Sequence, residues 1–564
     1  MAETVDIQGT QQSFEGEIRN PGGAWLTAIF SLYYGAGLMY KSIFLSVTLL
    51  FGLAGQPALA KTFFVTTDGN DSNQGTSSAP LKTFAKACAL AKQGDNIQLG
   101  AGMFYESENC DLKNGVSVDG ILERNAEGKP IKSSSTVLIN RSLTHRKCAF
   151  PNAQNEILLN LTNKRDISIG DIYFDGNERK TGQGILVDNG ADYRDVPSNI
   201  ELTNVALVNF HHNAVRFKQT RNSSLSNSYI HNSSMEYAPG ECNTNGYSNG
   251  NIMISGGSTD VAVDNNRIVT SGFYGYGIDG SGTTGTKITN NIFEMHPDQK
   301  WKSDPSRNWY AGNFNIEFFG GHDRGVLIEG NQFDQTVSLI TADKNVVKKP
   351  YRFLIKNNYF DIQREYSVEL GSSGIHVENN LFTSSSGRAY AVLRNFGAND
   401  SYLLQDIKVT GNVADGGQFS FFHSSLSVKN LFISNNTTIF RNYGSWKDKP
   451  STFITGNRSA EDIIENNLAI NFKAIPLGGL PASETNHVFD ITNNTSPLVE
   501  TSLLRTLGSG DSKEMCQSAE DIQTCYALAD NNELTDIGKD IGLVYVGEAP
   551  DIGAVEQPSA SSSF

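Results

Sequence analysis

The chain has 564 residues, with 54 Gly, 16 Pro, a hydrophobic fraction of 38 % and a formal net charge of −15. That apolar content is ample for a long stacked core. The negative balance, without clustered Lys and Arg, argues against a nucleic-acid partner and for a solvated, soluble surface.

Residues 39–60 read as a signal peptide. Met39-Tyr40-Lys41 precedes the apolar run SIFLSVTLLFGLAG, and QPALA closes it in a small-residue cleavage pattern ending at Ala60. The exported chain is expected to begin at Lys61, in the periplasm or outside the cell, with residues 1–38 an extension from an upstream start codon. The competing reading joins AWLTAIFSLYYGAGL to this run as a membrane anchor. The run is short and interrupted by Lys41, so no stable membrane insertion is expected after cleavage. All six cysteines (Cys88, Cys110, Cys148, Cys242, Cys516 and Cys525) follow the cut. An even number in an exported chain favours disulfides, with Cys88–Cys110 and Cys516–Cys525 the expected pairs.

Residues 61–110 form a strand, a polar loop and a short amphipathic helix. Pro80 is expected to start the helix, with Phe84, Cys88 and Ala91 on one face. Such a helix would cap the open end of a repeat stack. Asp68, Asn70, Asp71 and Asn73 are read as turn formers, because their spacing misses the calcium-loop pattern.

Residues 111–500 are read as the β-helix, and from Val261 onward one short phrase recurs. VAVDNNRI, TKITNNIF, VLIEGNQF, FLIKNNYF, IHVENNLF, IKVTGNVA, LFISNNTT and DIIENNLA are each a short apolar alternation closed by Asn. The closing residues are Asn266, Asn291, Asn331, Asn358, Asn380, Asn412, Asn436 and Asn467. Alternation predicts a strand with one face inward. Asn suits a tight bend, since it tolerates left-handed geometry and hydrogen-bonds backbone. Stacked copies put these side chains in a ladder, and the fold class is all-β, a parallel β-solenoid. Residues 501–564 are read as a C-terminal cap and tail.

The opening GNDSNQGTSSAPLKTFAKA…GDNIQLGAGMFYE, the NN-type coils and the closing PDIGAVE resemble the exported right-handed parallel β-helix proteins of the pectate-lyase-like superfamily. The resemblance spans essentially all of the chain after Ala60. It implies a carbohydrate-active protein with its site on the outside of one parallel sheet, in a groove along the helix axis. It does not choose among lyases, hydrolases and epimerases.

The strand one step before each Asn-closed strand supplies that sheet. Its triplets are read as Val215-Arg216-Phe217, Met253-Ile254-Ser255, Ile278-Asp279-Gly280, Ile316-Glu317-Phe318, Val337-Ser338-Leu339, Val368-Glu369-Leu370 and Leu393-Arg394-Asn395. With flanking residues inward, the middle residues form an outward column. Asp279 and Glu317 become neighbours at ~4.8 Å, with Glu369 two coils beyond Glu317. Paired carboxylates raise at least one pKa and suit acid and nucleophile or base in glycosidic hydrolysis. Arg216 and Arg394 would bind substrate at the ends of the column.

The longest interval, between Asn291 and Asn331, inserts EMHPDQKWKSDPSRNWYAGN just before Glu317. Trp301, Lys302, Arg307, Trp309 and Tyr310 in it are candidate sugar contacts, as are Tyr274 and Tyr276 one coil earlier. His322 follows Glu317 as a candidate for assisting proton transfer. Hydrolysis by paired carboxylates needs no cofactor. The alternative is β-elimination or C5-epimerisation of a uronic-acid polymer, with Ca2+ as the cation the acids could hold and Lys302, Lys344, His322 or Arg394 as base. No DPHD-type segment accompanies it. A third reading is a non-catalytic carbohydrate-binding or structural surface solenoid. The expected partner is a polysaccharide, and the expected state a monomer.

Overall fold

The structure is a computed structural model. It describes residues 60–490 with gaps, the longest being 141–156, 232–248, 296–313, 341–350 and 396–403, together with two short strands near the N-terminus and parts of 504–555. The chain forms two units, Met1–Leu59 and Ala60–Phe564. In the first, Phe14–Arg19 and Trp25–Phe30 pair antiparallel. Cys148 and Cys242 lie outside the described residues.

The second unit coils through three parallel sheets. The first has 14 strands, from Thr62–Val65 to Ile463–Glu465; the second has 14, from Gly102–Glu106 to His487–Asp490; the third has 11, from Ile157–Asn160 to Thr452–Gly456. Each strand pairs with its counterpart one coil away, and the crossovers take the right hand that strand twist favours. Alternation supplies the interior. Val326–Glu329, Phe353–Lys356 and Ile375–Glu378 each bury their first and third residues. The expected β-helix is the fold.

The Asn ladder runs as the repeat predicts. Asn266 Nδ2 donates to Asn291 Oδ1 at 2.9 Å, and the pattern repeats through Asn331, Asn358, Asn380, Asn412, Asn436 and Asn467 to Asn486 at 2.9–3.1 Å. Each oxygen also accepts the backbone N–H of the Asn one coil back, as Asn380 Oδ1 does from Asn358 at 3.0 Å. One expectation needs correcting. The ladder residue does not take the left-handed bend; the residue before it does, at Asn265, Asn290, Gly330, Asn357, Asn379, Gly411, Asn435 and Asn466, with φ between 52° and 67°. Two jobs assigned to one Asn are divided between two. Hence Gly appears only at the first position: a left-handed backbone tolerates it, whereas the ladder needs an amide.

The capping helix is Phe84–Leu90, and it buries Phe84, Ala87 and Cys88 against the first coils. It starts later than Pro80. Asp71 accepts from the Lys82 and Thr83 amides at 2.9 Å and from the Thr83 hydroxyl at 2.9 Å, which holds this lead-in extended and leaves Thr83 as N-cap. These bonds hold the Asp71 carboxyl below its ordinary pKa against the opposing effect of burial, which is the largest single influence. Asn70 Oδ1 accepts from Ser72 and Asn73 Nδ2 donates to Pro80, so these residues form turns. Asp71→Ala should lower stability by about 1–2 kcal/mol, read by thermal unfolding. An unchanged melting curve would show that the cap does not depend on this clasp. Cys88–Cys110 and Cys516–Cys525 are bonded as the sequence suggests.

The outer face of the second sheet is covered at both ends. Val137, Ile139, Tyr173, Ala206, Val208, Tyr229 and Val269 cluster with Leu122 of the 121–134 segment. Farther along, Leu381, Val413, Ile439, Leu468 and Ile470 pack against Leu504, Ile522, Tyr526, Leu528 and Ile552. The Tyr526 hydroxyl donates to Asp415 Oδ2 at 3.0 Å, and Asp415 is paired with buried Arg441. The described residues that line the outer face of the third sheet are instead largely charged or polar.

Candidate active site

Strand pairing on the third sheet sets the outward column. In register stand Arg216, Met253, Asp279, Glu317, Ser338, Glu369, Arg394, His423 and Thr455. The three expected acids therefore share one column, with Asp279 and Glu317 on adjacent strands and Ser338 between Glu317 and Glu369. The second triplet is displaced by one residue. Ile254 points into the core, fully buried, and half-buried Met253 takes the outward place. Ile252, Met253 and Ile254 are all apolar, so the alternation alone does not say which face is which.

The acids face outward yet are well covered: Asp279 is 6 % and Glu317 9 % exposed. Burial above all, and then the neighbouring Asp279, push the Glu317 carboxyl up to about 8; Glu369 adds to this, and a hydrogen bond from Tyr276 opposes it. Glu369 is also raised, by burial first and by Glu365, against a 2.8 Å hydrogen bond from Ser338 Oγ and the charge of Arg394. A carboxyl protonated at neutral pH beside a second one is what acid catalysis of glycosidic cleavage requires. Adjacent strands lie ~4.8 Å apart, close to the about 5–5.5 Å between carboxyls of retaining glycosidases. Glu317 and Glu369 are two strands apart, ~9.6 Å.

Tyr276 lies beside Glu317, but as a buried ring stacked on Phe314 at 5.6 Å rather than as an exposed platform. Arg216 and Arg394 bracket the acids. Burial lowers the Arg216 pKa, and Asp188 and Asp279 oppose that. The Arg394 guanidinium sits 4.7 Å from the centre of the Tyr366 ring. His322 is exposed in the bend after Phe314–Phe319, off the strand that carries Glu317. Its neighbour Asp323 is buried and accepts from Thr283, which ties that bend to the previous coil. Tyr274, Trp301, Lys302, Arg307, Trp309, Tyr310 and Lys344 lie outside the described residues. Among the described residues, no group of three or more His, Cys, Asp and Glu is arranged to hold a metal ion.

Two features escape the sequence reading. Phe319 shares the outward face with Glu317 and is 55 % exposed, an aromatic surface beside the acid pair. Tyr366, Tyr390, Phe419 and Trp446 gather beside Arg394 and His423. The alternation of Glu317, Phe318 and Phe319 could have revealed the first. The second comes from four coils and leaves no local motif.

The chain combines three parallel sheets, an internal Asn ladder and a charged column outside the third sheet. The architecture is a parallel β-helix. No protein-family model and no curated protein matches the chain. Solved structures do match. The A-module of mannuronan C-5 epimerase AlgE4 from Azotobacter vinelandii is 12 % identical, covering 76 % of this chain and 100 % of that one, with a TM-score of 0.41. The catalytic unit of a GH87 α-1,3-glucanase from Streptomyces thermodiastaticus is 12 % identical over 78 % of this chain and 71 % of that one, at 0.39. The Streptococcus pneumoniae surface adhesin PfbA is 12 % identical over 72 % and 86 %, at 0.38.

Proposed function

We propose that the chain cleaves glycosidic bonds in a polysaccharide laid along the outer face of the third sheet. Hydrolysis is the favoured chemistry, with Glu317 as proton donor and Asp279 as the partner carboxylate. The observation that carries this reading is the adjacent-strand pair in which Glu317 keeps its proton to about pH 8. Protonating the departing oxygen needs an acid that is still protonated at neutral pH, and Asp279 is one strand away to serve as nucleophile or to activate water. Polysaccharide-active β-helix proteins among the structural neighbours accord with a carbohydrate substrate. The test is a polysaccharide panel with the chain beginning at Lys61, scoring reducing ends. Glu317→Gln and Asp279→Asn should both abolish turnover. Full turnover in both would place the chemistry on another face.

A second reading, elimination or epimerisation of a uronic-acid polymer, rests on Arg216 and Arg394 at the two ends of the acids. Either guanidinium could neutralise a sugar carboxylate. Products that absorb in the ultraviolet, from the unsaturated end elimination leaves, would favour a lyase over a hydrolase.

We also infer that the protein works outside the cytoplasm. The pattern ending at Ala60 and the two disulfides support this. No helix among the described residues is long and apolar enough to cross a membrane. Intact-mass measurement of exported material should give a chain starting at Lys61. A mass that retains residues 1–38 would overturn this assignment.

A further inference from the structure

Beyond Glu369 the column changes sign. Arg394, His423 and Thr455 follow in register. Arg394 is fixed from two sides: its guanidinium lies 4.7 Å over Tyr366, and its Nε is 3.5 Å from Ser425 Oγ. His423 Nδ1 is 2.6 Å from Thr455 Oγ1. Against these stands a group of rings. Tyr390 meets His423 and Trp446 edge-on, each at 5.4 Å, meets Tyr366 edge-on at 6.1 Å, and stacks on Phe419 at 5.0 Å. All of these side chains are half-buried, so each keeps part of its surface open.

The turn that carries Trp446 is fastened. Ser445 N donates to Gly387 O at 2.9 Å, and the Tyr443 hydroxyl donates to Ser384 O at 3.0 Å. Beneath it, fully buried Lys473 donates to Gln418 O at 2.7 Å and Trp446 O at 3.3 Å. An ammonium spent on two carbonyls holds this turn in place from below. The result is a rigid aromatic flank beside a planar cation. Aromatic faces take the apolar C–H face of a sugar ring at little entropic cost, and a fixed guanidinium fork matches a carboxylate.

We propose that this wall is a distal subsite for an acidic sugar unit, with the sugar ring against Tyr390 and Trp446 and its carboxylate on Arg394. The proposal rests on the reading that substrate lies along the third sheet, and it names the substrate class. Arg394 is three strands from Glu317, ~14 Å along the axis. Only a chain long enough to span that distance engages the subsite and the acid pair together.

The test measures binding without turnover. In a Glu317→Gln background, affinity electrophoresis against polygalacturonate, alginate and a neutral β-glucan should show retention by one of the acidic polymers in preference to the glucan. Adding Arg394→Gln should weaken that retention by about 10-fold or more. Arg394→Lys should recover part of it, and Trp446→Ala should weaken it to a similar degree. Thermal melts identify any variant that fails to fold, and Arg394→Lys keeps the test decisive if Trp446→Ala does fail. Equal retention by the β-glucan, no binding to either acidic polymer, or no change with Arg394→Gln would overturn the subsite. Because turnover is not read, a fully active Glu317→Gln enzyme would sink the catalytic assignment and leave this result intact.

Discussion

Replacing Glu317 with Gln should lower turnover by about 10²–10⁴-fold while making the protein more stable in alkaline solution. The two effects have one cause. Glu317 is held protonated to about pH 8, because burial and the nearby Asp279 and Glu369 disfavour its charge. Its folded pKa lies above its unfolded value near 4.5. The stability linked to that proton is fully present below the unfolded value and is lost as pH rises through about 8. Gln keeps the shape and cannot ionise, so the variant should gain on the parent protein as pH passes from 4.5 toward 8 and beyond. In the parent, the alkaline limb of kcat/KM should fall near pH 8, where the acid loses its proton. Turnover like the parent's would count against the catalytic role, and a melting temperature that drops in the variant at pH 9 would count against the penalty on the Glu317 charge.

Asn380→Leu should have the largest effect on stability, a loss of at least about 3 kcal/mol. Leu is close to Asn in shape and fills the same space without a cavity. What disappears is the amide, which is fully buried. Asn380 Oδ1 accepts the Asn358 N–H and Nδ2 groups at 3.0 and 2.9 Å, and its own Nδ2 donates to Ile355 O, Glu378 O and Asn412 Oδ1. Leu leaves the buried Asn358 N–H without this acceptor and takes a donor from Ile355 O, Glu378 O and Asn412 Oδ1, the costly direction of hydrogen-bond loss. The urea midpoint is the measurement. A shift corresponding to less than about 1 kcal/mol would mean that the corner repacks and the ladder is not a structural necessity.

The scaffold was legible because its rules are local. From Ala262–Asp264 onward each first-sheet strand is closed by Asn or Gly followed by Asn, so the inward residues of these coils follow from the text alone; the earlier bends, at Asp171-Ile172, Asn204-Val205 and Asn227-Ser228, lack that pair. The division of labour between the two bend residues was written there as well, in the GN of Gly330-Asn331 and Gly411-Asn412, but one Asn was read as doing both jobs. The acidic column was legible where a polar residue interrupts apolar neighbours, as at Asp279, Glu317 and Glu369. It failed at Met253, where three apolar residues in a row hide the phase. Phe319 was missed because an aromatic residue is expected inward, although strict alternation after Glu317 and Phe318 sends it out. The wall around Tyr390 could not be read at all. Tyr366, Tyr390, Phe419 and Trp446 are each ordinary in their own coil, and only stacking brings them together.

The column of amides at the corner has one more implication. A primary amide neither takes up nor releases a proton across the range in which Glu317 does. The spine that keeps the coils in register is therefore indifferent to acidity, while the pair on the third sheet is governed by it. Mutations that shift the Glu317 carboxyl, through Asp279, Tyr276 or Glu369, act without touching the joints between coils. The joints between coils thus hold alike in acid and in alkali, and the pH sensitivity that Glu317 lends to folding stays on one sheet.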